Sequence, residues 1–332
     1  MKATVCIPSV RPGALGTTIR SVLAQTCQDW ELLVVGQGDA ATETVLEAAV
    51  GAAAGGDPRV SYVHLAERGC SRARNAGTRL ARGEVIAFLD DDCEAEPAWL
   101  ETIVSAFDAD PELGAVGGAV IGPEKLGALA SCPTVMPTEA LYDPAVTPQR
   151  PPDGWDWIGA NCAFRLTATA RVGPWDELMG PGMPFPVGED TDYKLRLESL
   201  GVRMLTTPRS RILHSSGVRS GRAALRSQRN YALGNGVLAA KQTLSGDPRG
   251  RIWLNATRRR CLTDWARRLR PQRLPVDLRH LLWFEVGYRR CRRDYEVDAA
   301  GLLRQRGSAP AGTAVTLRPA HEADSRHAAT GR

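Results

Sequence analysis

The stretch "GEVIAFLDDDCEAEP", residues 83–97, decides how the rest of the chain is read. Val85 to Leu89 form a short, unbroken apolar run that stops at three consecutive acids, Asp90, Asp91 and Asp92. A run of this length bounded by polar residues fits a strand buried on both faces. Three adjacent carboxylates at its mouth repel one another, so positive charge must compensate them.

Working outward, the same pattern repeats. "ATVCIP" (3–8), "WELLVVG" (30–36), "RVSYVHL" (59–65) and "LGAVGGAVI" (113–121) read as further strands. Helical periods separate them: Leu15, Ile19, Val22 and Leu23 share one face, an Ala-rich helix spans about 42–54, and another spans 71–81. A fourth helix near Pro97 carries Trp99, Leu100, Ile103, Val104 and Phe107, and Asp92 or Cys93-Glu94 leads into it. Strands alternating with helices predict right-handed βαβ units and an α/β fold with a mostly parallel, Rossmann-like sheet. Ligands of such sheets bind at the carboxyl ends of the strands. Ser9-Val10-Arg11, Gln37-Gly38-Asp39 and the triple Asp all fall there.

Residues 123–156 are Pro-rich and read as a long excursion that shapes a pocket. Structure resumes with "WIGANCAFRL" and a helix at 189–200 ended by Gly201, followed by two strands, "RMLTTP" and "SRILHSSG". Residues 219–243 read as helical, and 251–306 as basic amphipathic helices broken at Pro271 and Pro275. The Ala/Gly/Pro/Thr-rich end from Ser308 reads as a disordered tail.

With 332 residues, 43% apolar and 24% charged, the chain has the composition of a globular protein. No apolar run reaches the about 18 residues that span a bilayer, and no leader pattern opens the chain, so cytoplasmic residence is the expectation. Eight scattered cysteines without a C-x-x-C pair argue against a zinc site and read as reduced, buried thiols.

Hard divalent cations take carboxylate oxygens together with substrate phosphates, so the triple Asp points to a metal–diphosphate role; for any single Asp the competing reading is a helix cap. In "GEDTDYKLRLESLG" (188–201), Glu189 and Asp190 open a helix after a Gly-rich stretch, where a carboxylate can serve as general base. Acids also favour that end through the helix dipole alone.

These segments, taken in order with "IPSVRP", "SVLAQTCQDWELLVV", "ERGCSRARNAG", "IGANCAFR", "VGPWDE" and "RILHSSG", resemble the inverting glycosyltransferases of family 2, with the GT-A fold, from residue 3 to about residue 245. The resemblance implies a catalytic domain over 1–218, divided into a nucleotide-sugar-binding half (1–122) and an acceptor-binding half (123–218). A helical Arg-rich region (219–306) and a tail (307–332) follow. It implies that Asp92 ligates Mg²⁺ or Mn²⁺ on the donor diphosphate, that Asp90 lies near the ribose or helps position the metal, and that Asp91 caps or solvates the turn. Asp190 would deprotonate the acceptor hydroxyl, supported by Glu189. Ser9 and Arg11 would line the nucleotide pocket, Arg68, Arg74 and Asn75 would contact the nucleotide or order its wall, and His214 would reach the metal or diphosphate. Trp175 and Asp176 would belong to the acceptor wall, the alternative being a buried aromatic with a capping acid. Where the family shows acids after the second strand, this chain has Gly36-Gln37-Gly38-Asp39, leaving the choice of UDP, dTDP or GDP sugar open to Gln37 or Asp39. The rival readings are a sugar nucleotidyltransferase and a non-catalytic sugar- or membrane-binding relative.

The formal charge of +5 is unevenly spread. Residues 249–293 hold fourteen arginines against Asp264, Asp277 and Glu285, a local net of +11, which leaves −6 elsewhere. Interleaved Trp253, Trp265, Trp283, Phe284 and Tyr288 allow two readings: solvated helices packed on the core, or a surface resting on anionic lipid. No nucleic-acid motif accompanies them, which argues against RNA.

Overall fold

The computed structural model describes residues 1–124, 130–214, 217–267 and 274–308. Four βα repeats open the chain: β1 (Ala3–Ser9), α1 (Leu15–Leu23), β2 (Trp30–Gln37), α2 (Ala40–Ala54), β3 (Val60–Leu65), α3 (Cys70–Leu80), β4 (Val85–Leu89), a short β5 (Glu94–Ala95) and α4 (Trp99–Ala109). After β6 (Leu113–Ile121) come β7 (Ala130–Ser131), β8 (Ala140–Tyr142), β9 (Asn161–Arg165), α5 (Leu166–Val172), α6 (Glu189–Ser199) and β10 (Arg203–Leu213). The chain continues through β11 (Arg219–Ser220), α7 (Gly221–Leu244), α8 (Pro248–Arg267), α9 (Leu274–Asp294) and a hairpin of β12 (Tyr295–Val297) and β13 (Leu303–Gln305).

The main sheet runs β3-β2-β1-β4-β9-β6-β10-β5, with β8 also on β10. β1, β2, β3 and β4 pair in parallel; β1, β2 and β4 are buried throughout, as parallel strands covered on both faces are, while the edge strand β3 is half-buried. β9 is antiparallel to both β4 and β6, so it splits the sheet into two parallel blocks. One face packs α1, α2 and α4 through Ile19, Leu46, Trp99 and Phe107, and the other packs α3 and α6 through Ala73, Ala76, Tyr193 and Leu197. Parallel pairing aligns Ser9 with Gly36, bringing the ends of β1 and β2 to one edge beside the acids that follow β4.

Several sequence expectations need correction. The helix after the acids begins at Trp99 behind Ala98 with no side-chain cap, and β5 intervenes, so neither Asp92 nor Glu94 leads into it. "RMLTTP" and the "SRIL" of the second run belong to one strand, β10, whose register against β6 shifts between Thr207 and Arg211; Pro208 breaks the ladder locally without ending the strand. The 123–156 excursion contains two short strands, β7 and β8. Pro275 sits in the first turn of α9, where its missing N–H is harmless. Pro271 and the tail from residue 309 lie outside the described residues.

The C-terminal helices add a third core around Met179, Phe185, Val237, Phe284 and Tyr288. Two glycines set the crossing of α7 and α9. A Cβ on Gly236 would lie 2.0 Å from the Phe284 carbonyl oxygen, and one on Gly287 would lie 2.1 Å from that of Leu233. Deeper in, Lys241 of α7 is buried and reaches Asp176 and Asp192, each at 2.6 Å. It is hydrogen-bonded to Asp176, and its approach to Asp192 Oδ1 lies off the hydrogen-bond direction.

Candidate active site

The triple Asp forms a tight turn in which the Cys93 N–H donates to the Asp90 carbonyl (3.1 Å). The three carboxylates then diverge: Asp91 and Asp92 share Arg11, Asp92 also meets His214, and Asp90 meets Arg74. Asp91 is buried: it accepts from Ser9 Oγ (2.8 Å) and from Arg11 Nη2 (3.1 Å), while its carbonyl takes the Thr18 hydroxyl (3.0 Å). It therefore neither caps nor solvates the turn; it ties the end of β1 to the end of β4. Asp92 pairs with Arg11 Nη2 at 2.7 Å and with His214 Nε2 at 3.2 Å. Burial alone would raise the Asp92 pKa, but His214 and then Arg11 hold it below the usual carboxylate range. Asp90 faces Arg74 Nη2 at 3.4 Å, and burial pushes its pKa up against that attraction.

His214 follows β10 and donates from one ring nitrogen in its local frame: Nδ1 lies 3.1 Å from the Pro133 carbonyl, an acceptor, so Nδ1 carries the proton. A second partner of this kind fixes the tautomer and aims Nε2 at Asp92. The imidazole pKa is raised, since the bond and charge of Asp92 outweigh burial, which acts the other way. Gly217 closes over the ring; a Cβ there would lie 2.1 Å from Nε2, so only glycine leaves this nitrogen clear. Asp92, Cys93 and His214 offer ligand atoms within 4.8 Å of one another. Burial raises the Cys93 pKa far beyond the physiological range, so the thiol stays neutral. The usable donors are one carboxylate and one imidazole. That set suits a hard cation such as Mg²⁺ or Mn²⁺ better than a thiolate-seeking metal.

Arg74, fully buried on α3, links this cluster to the acids of α6. Its Nη1 donates to Glu189 Oε1 (3.0 Å), and its Nη2 to the Gly159 carbonyl (3.1 Å) as well as to Asp90. Gly159 in turn donates its N–H to Asp190 Oδ2 (3.0 Å), and the Thr191 N–H donates to Asp190 Oδ1 (2.7 Å). Glu189 is buried, while Asp190 is only half-buried, so Asp190 is the acid turned toward solvent. Burial, then the neighbouring Asp190, pushes the Glu189 pKa up to about 7, with Arg74 opposing.

The remaining expected site residues divide. Gln37 is buried, and its Oε1 accepts from the Gly69 N–H at 2.6 Å, which clasps β2 to the start of α3. Asp39 caps α2, accepting from the Thr42 N–H (2.9 Å), and is therefore engaged in the helix start. Arg68 is exposed at the same edge. Asn75 faces inward: it donates to the Trp175 carbonyl (3.0 Å) and accepts from the Trp175 N–H (2.8 Å). Trp175 and Asp176 are also inside. Trp175 stacks on Tyr193 with ring centroids 4.1 Å apart, and Asp176 holds Lys241 and the Leu303 N–H (2.8 Å). Of the two readings open for this pair, the buried one describes them, and neither side chain presents a surface to an acceptor. The sequence reading missed Lys241 and Gly217. The one visible signal was a lone lysine in the otherwise small and apolar "GVLAAKQ".

This architecture is a mixed α/β fold whose largely parallel sheet gathers its acids at one edge, and the solved structures it resembles are GT-A glycosyltransferases. A mannosyltransferase from Pyrobaculum calidifontis, in complex with GDP-Man and Mn²⁺, superposes with a TM-score of 0.57 at 16% identity, covering 86% of each chain. TarS 1–349 of S. aureus, in complex with UDP-GlcNAc, gives 0.54 at 12% identity, covering 93% of this chain and 98% of that one. Residues 4–172 match the model of Glycosyl transferase family 2, and the chain belongs to that family. The enzyme is accordingly a glycosyltransferase, and the nucleotidyltransferase reading falls. Among curated relatives, the glucosyl-dolichyl phosphate glucuronosyltransferase of Haloferax volcanii is 28% identical over 64% of this chain and 68% of its own length. The O-antigen biosynthesis protein RfbC of Myxococcus xanthus is 30% identical over 64% of this chain but 17% of its own length.

Proposed function

We propose that this glycosyltransferase inverts its sugar, depends on a divalent cation, and moves a glycosyl group from a nucleotide-diphosphate donor to an acceptor hydroxyl. The observation that supports the proposal is the Arg74 bridge, which donates to Asp90 of the triple-Asp turn and to Glu189 at the start of α6, and so ties the two acid clusters together. In this reading Asp92 and His214 hold Mg²⁺ or Mn²⁺, with Asp90 alongside. When bound, the cation neutralises charge on the departing diphosphate. Asp190, oriented by the Gly159 and Thr191 N–H groups, takes the proton of the acceptor hydroxyl as its oxygen attacks the anomeric carbon. The bond to the diphosphate oxygen breaks, and that oxygen leaves with the electron pair. Glu189, its pKa raised, adds less negative charge beside Asp190 than an ordinary carboxylate would.

Ser9, Arg11, Gln37 and Arg68 line the nucleotide edge. Because the Gly69 N–H fixes the Gln37 oxygen, its amide nitrogen is left as a donor toward an acceptor atom of the base. The donor is a UDP-, dTDP- or GDP-sugar, and the acceptor a hydroxyl of a glycan, a lipid-linked sugar or a small molecule. The catalytic unit is assigned to 1–218, with nucleotide-sugar and acceptor halves meeting near residue 122. A cytoplasmic setting fits the seven described cysteines, all of which are unpaired. The test is to incubate the enzyme with these nucleotide sugars and Mn²⁺, follow nucleoside diphosphate release, and determine the product anomer by NMR. Full activity in EDTA refutes cation dependence, and a retained anomeric configuration refutes single displacement.

A further inference from the structure

The glycosyl-transfer site leaves one feature unexplained, the arginine-rich C-terminal helices. Among the described residues no helix is long and apolar enough to cross a membrane. α9 nevertheless has two distinct faces. Phe284, Tyr288 and Cys291 are buried against the third core. Roughly half a turn away, Leu278, Leu282 and Val286 follow one another at four-residue spacing and are exposed, Leu282 at 58%. Arg289 and Arg293 flank this stripe, with side chains 77% and 79% exposed, each also paired with an acid of its own helix, Glu285 and Asp294, on one side of its guanidinium. Arg279 donates to Gln228 of α7 (3.2 Å), which places the exposed Leu225, one turn earlier, beside the stripe. Arg222, Arg226 and Arg229 continue the positive charge along α7.

We infer that this face of α9, with the neighbouring turns of α7, is a docking surface for an anionic lipid bilayer. Aliphatic side chains ringed by arginines match the boundary between acyl chains and negative headgroups. A second copy of the chain fits poorly, because residues 249–293 carry a net +11 that would face its like. Base stacking by a nucleic acid would need several open aromatic platforms, but among the described rings of α8 and α9 Trp253 and Trp283 are half-buried and Phe284 is buried; Tyr231 of α7 stands exposed. The Arg229 guanidinium lies 4.0 Å above the Trp283 ring, and Trp253 packs edge-on to Phe284. The docking does not depend on the chemistry assigned to the crevice, so failure of either can be recognised separately.

Flotation of the full chain with vesicles of phosphatidylcholine, with or without 30 mol% phosphatidylglycerol, tests the inference. Binding is expected only with phosphatidylglycerol, and should fall steeply between about 50 and 300 mM salt. Arg289→Gln with Arg293→Gln should weaken partitioning about fivefold per arginine. Leu278→Gln with Leu282→Gln should weaken it about tenfold. Both double variants should melt with the parent, since the substituted side chains are exposed. Equal binding to neutral vesicles, no binding to either, or an undiminished leucine variant overturns the inference. So does a single-stranded RNA 20-mer that binds more tightly than the anionic vesicles.

Discussion

Lys241→Met isolates the contact that joins the C-terminal helices to the helix carrying the candidate base. The lysine is almost fully buried between Asp176 and Asp192, which are themselves 1% and 0% exposed. Methionine keeps most of the volume, so the dominant effect is electrostatic: two buried carboxylates lose their shared counter-ion. Removing one partner of such a pair costs about 3–5 kcal/mol. Here each acid keeps other partners, since Arg196 Nε donates to Asp192 (3.0 Å) and the Leu303 N–H to Asp176 (2.8 Å). The lower end, about 3 kcal/mol, is therefore expected. At about 2.1 cal/mol/K of unfolding entropy per residue, this corresponds to a fall of roughly 4–5 °C in the melting temperature. Calorimetry of parent and variant reads it directly. Adding Asp176→Asn to Lys241→Met should recover part of the loss by removing one uncompensated charge, although the amide cannot accept both existing bonds as well. A variant melting within 1 °C of the parent would refute the idea that this network holds the units together.

Other expectations follow from single positions. Gly217→Ala places a methyl group against His214 Nε2, so the ring must shift, and should weaken Mn²⁺ binding by at least about tenfold at temperatures where the variant is still folded; titration of free Mn²⁺ by electron paramagnetic resonance checks it, and unchanged affinity contradicts it. Gly236→Ala drives a methyl onto the Phe284 carbonyl and should destabilise by about 1–3 kcal/mol, read by thermal melting. The pKa of Glu189, raised in the folded state, makes its contribution fully present below its ordinary value near 4.5 and lost as pH rises through about 7. Across that window Glu189→Gln should flatten the fall in parental stability; parallel melting curves against pH would contradict the assignment. Gln37→Glu should disfavour nucleotide binding by placing a carboxylate where an amide donor stands, measured as a loss of ligand-induced thermal shift.

The repeating strands and helices of the first 120 residues were legible because each apolar run is long enough to show its period, and the parallel sheet follows from that alternation. The short strands β7 and β8 and the β12–β13 hairpin were not, since two or three residues carry no period. Pro208 made one strand look like two. At the site, the acids were visible as a local anomaly, but their compensation is long-range. Arg11 lies 80 residues from Asp91 in sequence, and Arg74 lies 115 from Glu189, so no local pattern joins them. The same blindness placed Trp175 and Asp176 at an acceptor wall. A Trp-Asp pair after Gly-Pro reads alike whether it faces solvent or a buried lysine.

The charge that the three acids require is supplied in part from within, by Arg11, Arg74 and His214. Arg11 is the exposed member, its side chain 61% accessible, whereas Arg74 and His214 are buried. A cation arriving at Asp92 would displace one exposed arginine and leave the framework between the two acid pairs intact.

The central claim, that Asp190 accepts the proton while the Asp92 cluster holds the donor, is tested most directly by Asp190→Asn under single-turnover conditions. Glycosyl transfer should fall by at least about a thousandfold, with nucleotide-sugar affinity in Mn²⁺ within a few-fold of the parent. Transfer within tenfold of the parent, or donor affinity lost together with transfer, would contradict it.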